Sequence, residues 1–229
     1  MQNIPLDAHL PTSPSPRWKY KQEDFECAMR CMRCTARVGN RRCARKSCYT
    51  IPYCWQHLKS VAHLRVGRTT LKDPATGRRF PFRGLFACKA SDPGGLVFRT
   101  NQRITPYVGE VLSEPELDAR YGDGLAPYTE RVGVGMQGDP DVYVDGACLR
   151  GVASLANDAI ADSTCTTQKC ETNAFFFSGD GNYPSLRASK YIYDGDEIFV
   201  SYGDEYWDGD IPEHVTSPRS VYEKLEYKC

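Results

Sequence analysis

The sequence has no run of about 18 apolar residues, the length at which a helix begins to span the hydrocarbon core of a membrane. Its N-terminus also lacks the apolar segment of a secretory signal peptide. We therefore expect an intracellular protein without a membrane partner. Hydrophobic residues make up 41% and charged residues 25% of the 229 positions. These values are typical of a globular chain and exclude wholesale disorder.

Net charge is also absent, because 29 Lys and Arg side chains balance 29 Asp and Glu side chains. The balance hides an asymmetry: residues 1–83 carry 17 basic and 5 acidic side chains, whereas residues 84–229 carry 12 basic and 24 acidic ones. A basic front suits a polyanion such as DNA or RNA, and an acidic rear suits a basic peptide. The two parts could equally attract only each other, so the charge pattern alone leaves both interpretations open.

Cysteine, by contrast, is abundant: the chain has 11, and six of them lie between Cys27 and Cys54. Because disulfides are disfavoured in a reducing compartment, this clustering favours metal ligation, with free buried thiols as the alternative. The candidate zinc ligands are Cys34, Cys43, Cys54 and His57. Four protein ligands leave no open position on the metal ion, so we expect a structural zinc ion that supplies much of the folding free energy of this segment.

The ligand segment resembles a small zinc motif of viral and protist proteins, which has the form Cys–Gly–Arg–Cys followed by Tyr–Cys–Trp–Gln–His. The matching residues are Gly39, Arg42, Cys43, Tyr53, Cys54, Trp55, Gln56 and His57. Gly39 and Asn40 supply a turn between the first two ligands.

Three cysteines of the cluster, Cys27, Cys31 and Cys48, are left over by this assignment. Cys48 could replace one of the four ligands, or a second metal ion could bind with Cys27 and Cys31. The basic residues at 41, 42, 45 and 46 could contact phosphate or acidic protein, or form a solvated face.

The composition divides the chain into four parts. Residues 1–26, with four prolines among the first 16 positions, predict a flexible arm in which residues 17–26 could form a short helix. Residues 27–60 form the zinc-binding module, residues 61–208 the main domain, and residues 209–229 a C-terminal flanking segment or lid.

The main domain alternates short apolar runs with Gly, Asp and Asn, a pattern typical of short strands. The runs lie at residues 85–87, 96–98, 106–108, 142–144, 173–177, 186–193 and 198–202. One helix is predicted at Ser113, where Glu116 completes a capping box and Leu117 and Tyr121 share one face. A second is predicted to begin at Ser217, before Pro218. The predicted fold class is mostly β, a β-rich α+β domain of small sheets.

Six short segments of this domain stand in a recognisable order. They are Gly84-Leu85-Phe86-Ala87, Tyr107-Val108-Gly109-Glu110, Val144-Asp145-Gly146, Ala156-Asn157-Asp158-Ala159, Thr172-Asn173-Ala174-Phe175, and the run from Tyr193 to Gly203 that contains Tyr202. The ordered set resembles the signatures of the SET-domain family of protein-lysine methyltransferases. The resemblance implies a fold of small sheets with a C-terminal pseudoknot. It also implies methyl transfer from S-adenosylmethionine to a lysine side chain.

The same resemblance assigns the site residues. Tyr202 is the implied catalytic tyrosine, and Tyr128 and Tyr143 are candidates for the wall of the lysine channel. The implied S-adenosylmethionine site comprises Arg83, Gly84, Leu85, Phe86, Tyr107, Asn157, Asp158, Tyr202 and Trp207. Methyl transfer to an amine is an in-line displacement that needs a neutral amine, close alignment and a dry channel.

The sequence departs from the family pattern at several positions. Phe82 replaces a glycine, and Asp158 replaces a histidine. Val200 stands where many members carry Phe or Tyr, so we expect room for di- or trimethylation. The three-cysteine tail of many histone methyltransferases is absent, so a lid must come from residues 207–227.

The resemblance makes a histone tail the default substrate and a nuclear, chromatin-associated location the expected one. The basic zinc module could then contact nucleosomal DNA. One alternative is a catalytically weak SET fold that binds chromatin or nucleic acid, as Phe82 and Asp158 suggest. Another is a zinc-dependent nucleic-acid-binding protein in which the SET-like part is incidental.

Overall fold

The computed structural model describes residues 16–22, 25–30, 32–47, 52–72, 76–80, 83–89, 91–122, 126, 128–132, 141–159, 171–178 and 183–203, with side chains from residue 33 onward. Over these residues the chain forms eighteen short strands, two α-helices and one 3-10 helix. The predicted class, mostly β with small sheets, is confirmed. Neither α-helix of this part of the chain is long and apolar enough to cross a membrane.

The strands are β1 Pro16–Gln22, β2 Phe25–Arg30, β3 Met32–Arg33, β4 Arg37–Val38, β5 Arg41–Arg42, β6 Lys46–Ser47, β7 Leu64–Arg68, β8 Arg83–Ala87, β9 Leu96–Phe98, β10 Arg103–Pro106, β11 Glu110–Ser113, β12 Thr129–Val132, β13 Val142–Asp145, β14 Asn157–Asp158, β15 Ala174–Phe177, β16 Ser185–Ala188, β17 Ile192–Tyr193 and β18 Phe199–Val200. The helices are α1 Trp55–Ala62 and α2 Glu114–Tyr121, and the 3-10 helix is Val152–Leu155.

The first described segment is an antiparallel hairpin of β1 and β2. The short helix predicted for residues 17–26 is therefore wrong. Its aromatic residues, including Trp18 and Tyr20, alternate with lysines, and this period-2 pattern favours a strand over a helix. Residues 1–15 lie outside the described residues, so the flexible arm there stays a prediction.

Two short antiparallel pairs follow: β4 and β5 form a hairpin, and β3 pairs with β6 on either side of it in sequence. The turn between β4 and β5 consists of Gly39 and Asn40, as predicted. Gly39 has a φ of 59°, a left-handed conformation that a residue with a Cβ adopts only at a cost.

The main domain consists of two three-stranded sheets, β10–β16–β15 and β11–β13–β12, and the pairs β7–β8, β9–β17 and β14–β18. All are antiparallel except β14–β18. The predicted run at residues 106–108 is only partly a strand, because β10 ends at Pro106, although the Tyr107 N–H still donates to Pro184 O at 2.8 Å. One apolar core runs through these sheets, and Leu58 of α1 packs into it. Helix α1 thereby joins the cysteine-rich segment to the main domain.

Helix α2 begins as the sequence predicts. The Ser113 N–H donates to Glu116 Oε2 at 2.8 Å, which forms the backbone half of a capping box. Leu117 and Tyr121 pack together against Ala147, so they share a face. The helix predicted from Ser217 lies outside the described residues.

A buried carboxylate ties α2 to the sheet beside it. Asp145 is fully buried, and its Oδ2 accepts hydrogen bonds from Arg120 Nη1 at 2.6 Å and from Tyr121 Oη at 2.8 Å. Its Oδ1 accepts from the Ala147 N–H at 2.8 Å. Such complete pairing is what a buried charge requires. Arg120 also contacts Glu110 at 2.9 Å, so Glu110 has a structural partner on α2.

Candidate active site and metal centre

The segment 197–202 lies between parts of the chain that are distant in sequence. On one side β18 pairs in parallel with β14, and on the other the Ile198 N–H donates to Leu85 O at 2.7 Å. The Asn173 side chain holds the same segment, since its Oδ1 accepts from the Phe199 N–H at 2.9 Å. A C-terminal segment bonded on several sides is what a pseudoknot requires, but its threading under a loop stays a prediction.

Tyr202 is positioned through both its backbone and its side chain. Its N–H donates to Asp158 Oδ2 at 2.8 Å, and its hydroxyl donates to Ala156 O at 2.9 Å. The parallel register of β14 and β18 brings these groups together, because Asp158 lies opposite Val200, two residues before Tyr202. Asp158, which departs from the family's histidine, therefore fixes the backbone of the implied catalytic tyrosine.

Asn157 connects this strand to β8. Its Nδ2 donates to Arg83 O at 3.0 Å and to Glu197 Oε1 at 3.2 Å. Since both amide hydrogens then have protein acceptors, the side-chain oxygen Oδ1 remains to accept a hydrogen bond from a ligand. Asn157 is half-buried, so a ligand can reach it.

Glu197 is a buried residue of this region that the sequence analysis misses. Its carboxylate accepts hydrogen bonds from Thr69 Oγ1 at 2.6 Å, from the Thr70 N–H at 2.6 Å and from Thr70 Oγ1 at 2.5 Å. A Cβ on Gly84 would collide with this carboxylate, which explains the glycine. The only signal in the sequence is an acidic residue directly before an apolar run that becomes a buried strand.

The structure thus brings most of the predicted cofactor residues together. Gly84, Leu85 and Phe86 lie in β8 beside segment 197–202. The backbone of Phe86 forms an isolated antiparallel β-bridge with that of Glu197. Trp207, like the rest of the predicted lid, lies outside the described residues.

Tyr107 and Tyr128 form a second group. The buried Tyr107 hydroxyl donates to Tyr128 O at 2.7 Å, and the Tyr107 ring meets Phe176 edge-on at 5.1 Å. Burial raises the pKa of Tyr107, so its hydroxyl stays protonated as a donor. The Tyr128 ring stacks on the buried Arg150 guanidinium, 3.5 Å from its centroid. These contacts link Tyr107 to Tyr128, whose role in a lysine channel stays a prediction.

Tyr143 lies on β13, paired across the sheet with Leu112 and Arg131. Burial raises the pKa of Tyr143. Its role as a channel residue also stays a prediction.

The four candidate metal ligands converge, and their ligand atoms all lie within 4.8 Å of one another. The His57 Nδ1 atom is 3.4 Å from Cys34 Sγ and 3.3 Å from Cys54 Sγ, and Cys43 Sγ is 4.0 Å from Cys54 Sγ. Usual zinc bond lengths give tetrahedral edges of about 3.6 Å between sulfur and nitrogen and about 3.8 Å between sulfurs. The three measured distances are close to these edges, so the donor set suits a tetrahedral metal ion.

Local structure explains why these four side chains meet. Cys54 is the N-cap of α1 and His57 lies in its first turn, where the helix dipole favours negative thiolates. The Arg45 backbone N–H bonds to the Cys43 thiol and lowers its pKa, whereas burial raises the pKa of Cys34.

Two arginines bind the backbone of two metal ligands. Arg33 Nε donates to Cys43 O at 2.9 Å, and Arg42 Nε donates to Cys34 O at 2.9 Å. These two guanidinium groups are therefore structural parts of the module.

The cysteines outside the four candidate ligands are only partly described by the structure. Cys31, Cys48 and the Cys27 side chain lie outside the described residues, so their roles stay open. Cys148 is disulfide-bonded and lies outside the cluster at residues 27–54 to which the expectation of metal ligation applies.

No family model and no curated protein matches the chain. Among solved structures, it is similar to the Neurospora SET domain protein DIM-5, a histone lysine methyltransferase, with 18% sequence identity and a TM-score of 0.43. The match covers 62% of this chain and 52% of that one. The chain thus spans about half the length of that protein. A likeness this distant carries no argument about function.

Proposed function

We propose that the protein is an S-adenosylmethionine-dependent protein-lysine N-methyltransferase. The observation that carries this proposal is the pairing of β14 with β18, which places the Tyr202 hydroxyl 2.9 Å from Ala156 O beside Asn157. Tyr202 and Asn157 are the residues that the family resemblance assigns to catalysis and cofactor binding, and they come from segments more than forty positions apart.

The donor and acceptor pattern fits the methionine part of the cofactor. Its ammonium group is a donor, and Asn157 Oδ1 is a free acceptor in a half-buried position. The buried Glu197 carboxylate favours a cation nearby. The β8 backbone at Gly84 carries no Cβ and so allows close approach. When bound, S-adenosylmethionine supplies a methyl group activated by its sulfonium.

Two oxygens, the Tyr202 hydroxyl and the Ala156 carbonyl, lie where they could contact the lysine amine that accepts the methyl group. The Tyr202 hydroxyl donates its hydrogen to Ala156 O, which fixes the position of an oxygen that can orient an amine N–H. Oxygens placed around a methyl group also stabilise it by weak C–H···O contacts. Because the attacking amine must be neutral, we expect the rate to rise with pH until the lysine is deprotonated.

Cofactor binding tests the assignment of Asn157. Asn157→Ala removes an acceptor for a charged donor, so we expect the affinity for S-adenosylmethionine to fall about ten-fold or more. Titration calorimetry on the zinc-loaded chain measures this change. Gln102→Ala, in an exposed turn, is the matched control and should bind like wild type. Unchanged affinity in folded Asn157→Ala would remove this residue from the site.

The same titration separates the main proposal from its alternative, a catalytically weak SET fold that binds chromatin or nucleic acid. Asp158 motivates that alternative, but its carboxylate has a positioning contact with Tyr202. A chain that binds neither S-adenosylmethionine nor its demethylated product would favour the alternative.

We further infer that the metal ion is zinc and structural. The three thiol sulfurs and one imidazole nitrogen are ligands that zinc prefers, and together they fill a tetrahedron. They leave no position at which substrate could bind the metal, so the proposed chemistry takes place at Tyr202.

The substrate class follows from charge. Residues 84–229 carry 24 acidic and 12 basic side chains, which favours a basic peptide. A histone tail is the first candidate, and a nuclear location goes with it.

The degree of methylation is a further prediction. Val200 is fully buried beside the positioned Tyr202, and it lacks the bulk and hydroxyl that a tyrosine would place there. We therefore expect di- or trimethyllysine as the end product, measured by mass spectrometry of the modified peptide at long reaction times. Strictly monomethylated product at full conversion would show that the site has no room for a second methyl group.

A further inference from the structure

The metal-binding segment is unusual in its charge. Between Glu26 and Asp73 the sequence has no acidic residue, whereas it has eleven Lys and Arg residues. Arg33 and Arg42 are used internally, on backbone carbonyls. The other exposed cations of the module are Arg37, Arg41, Arg45 and Lys46. The ion pairs of the described residues include none of these four, so their charge is available to a partner.

An exposed aromatic ring lies among these cations. Trp55 is 53% exposed although it sits between the metal ligands Cys54 and His57. The Arg45 guanidinium carbon and the Lys59 ammonium nitrogen each lie 5.7 Å from the centroid of its ring. Arg45 is itself held by a hydrogen bond to Gln56 Oε1. We call Trp55, Arg45 and Lys59 the Trp55 face.

The position of Trp55 fixes its backbone. It is the first residue of α1, and ligands on both sides of it fix the backbone once a metal ion binds. A large indole ring exposed at a fixed position costs solvation free energy, which a binding partner would recover. A flat ring that is 53% exposed with two cations over it offers apolar surface to a base and two charges to the neighbouring phosphates.

We propose that the Trp55 face binds single-stranded nucleic acid. Phosphates supply the negative charge that the acid-free segment lacks, and an unpaired base can stack on the indole ring. A duplex satisfies the same charges but hides the faces of its bases, so it leaves the indole uncovered. An acidic protein also matches the charge, yet carboxylates alone give the exposed ring no partner. This binding goes beyond the proposed methyl transfer and needs no S-adenosylmethionine.

Fluorescence anisotropy on the zinc-loaded full chain tests the proposal. The probe is a fluorescein-labelled oligothymidylate of about 15 nucleotides, near the upper end of known single-strand site sizes. We expect it to bind more tightly than a duplex of equal length. Trp55→Ala should weaken binding about ten-fold, whereas Trp55→Phe, which keeps a flat ring, should weaken it about two-fold. Arg45→Ala should reduce the slope of log affinity against log salt by about 0.7.

A matched charge control is Lys190→Ala, which removes an exposed lysine of the main domain and should leave affinity unchanged. Each variant is first shown to retain its metal ion. Three results would overturn the proposal: unchanged binding by metal-loaded Trp55→Ala, tighter binding of the duplex, or displacement of the oligonucleotide by polyglutamate at equal charge concentration.

Discussion

Tyr202→Phe should lower the rate of methyl transfer about a hundred-fold while the protein stays folded and binds S-adenosylmethionine. The substitution removes one oxygen, the hydroxyl that donates to Ala156 O. Loss of a single preorganised polar group at a reacting centre costs about 10²-fold in rate in other enzymes. The lost hydrogen bond is half-buried and should cost only about 1 kcal/mol of stability. Initial rates with labelled cofactor measure the effect.

Tyr191→Phe is the matched control, because the Tyr191 side chain is 56% exposed and removal of its hydroxyl should leave the rate unchanged. Calorimetry on both variants separates a loss of chemistry from a loss of cofactor binding. A folded Tyr202→Phe variant with the wild-type rate would show that the hydroxyl takes no part in the reaction.

Removal of the metal ion should unfold the module that holds it. The buried cluster there consists of Cys34, Cys43 and Cys54, and the strands around it are two residues long. Metal binding supplies about 10 kcal/mol or more in isolated zinc-finger peptides, which far exceeds what such a small apolar cluster contributes. Chelation should therefore abolish amide protection over residues 32–47 and 52–57, measured by hydrogen exchange.

The effect should spread beyond the module. Leu58 of α1 packs into the core of the main domain, so unfolding of α1 uncovers part of that core. We therefore expect a lower melting temperature for the whole chain, restored by added zinc. Cys43→Ser should reproduce the loss, whereas Cys88→Ser, at a half-buried cysteine outside the cluster, should keep both the metal ion and the melting temperature. Undiminished protection in the metal-free chain would contradict a structural role for the metal.

The features that the sequence predicts well depend on short spacings or on ordered motifs. Cys54 and His57 lie one helical turn apart, and Ser113 and Glu116 are three residues apart, so local geometry alone brings each pair together. The role of Tyr202 is predicted in a different way, through the family resemblance, because no short spacing links Tyr202 to Asn157 and Asp158.

The features that the sequence does not predict depend on contacts between distant residues. Glu197 bonds to Thr69 and Thr70 across 128 and 127 positions, and no local pattern pairs an acid with threonines so far away. In the sequence, Asp158 is only a departure from the histidine of the family pattern. Its role follows from the pairing of β14 with β18, which lets its carboxylate accept a hydrogen bond from the Tyr202 N–H. The hairpin at residues 16–30 is a different case, because its alternation of aromatic residues with lysines is a local pattern that favours a strand over the predicted helix.

The most direct test of methyl transfer is incubation of the zinc-loaded chain with methyl-labelled S-adenosylmethionine and core histones, followed by mass spectrometry of the labelled peptide. We predict label on a lysine side chain, transferred by wild type and about a hundred-fold more slowly by Tyr202→Phe. Binding of the cofactor without transfer would mean a different protein substrate. Neither transfer nor cofactor binding would contradict the proposed activity.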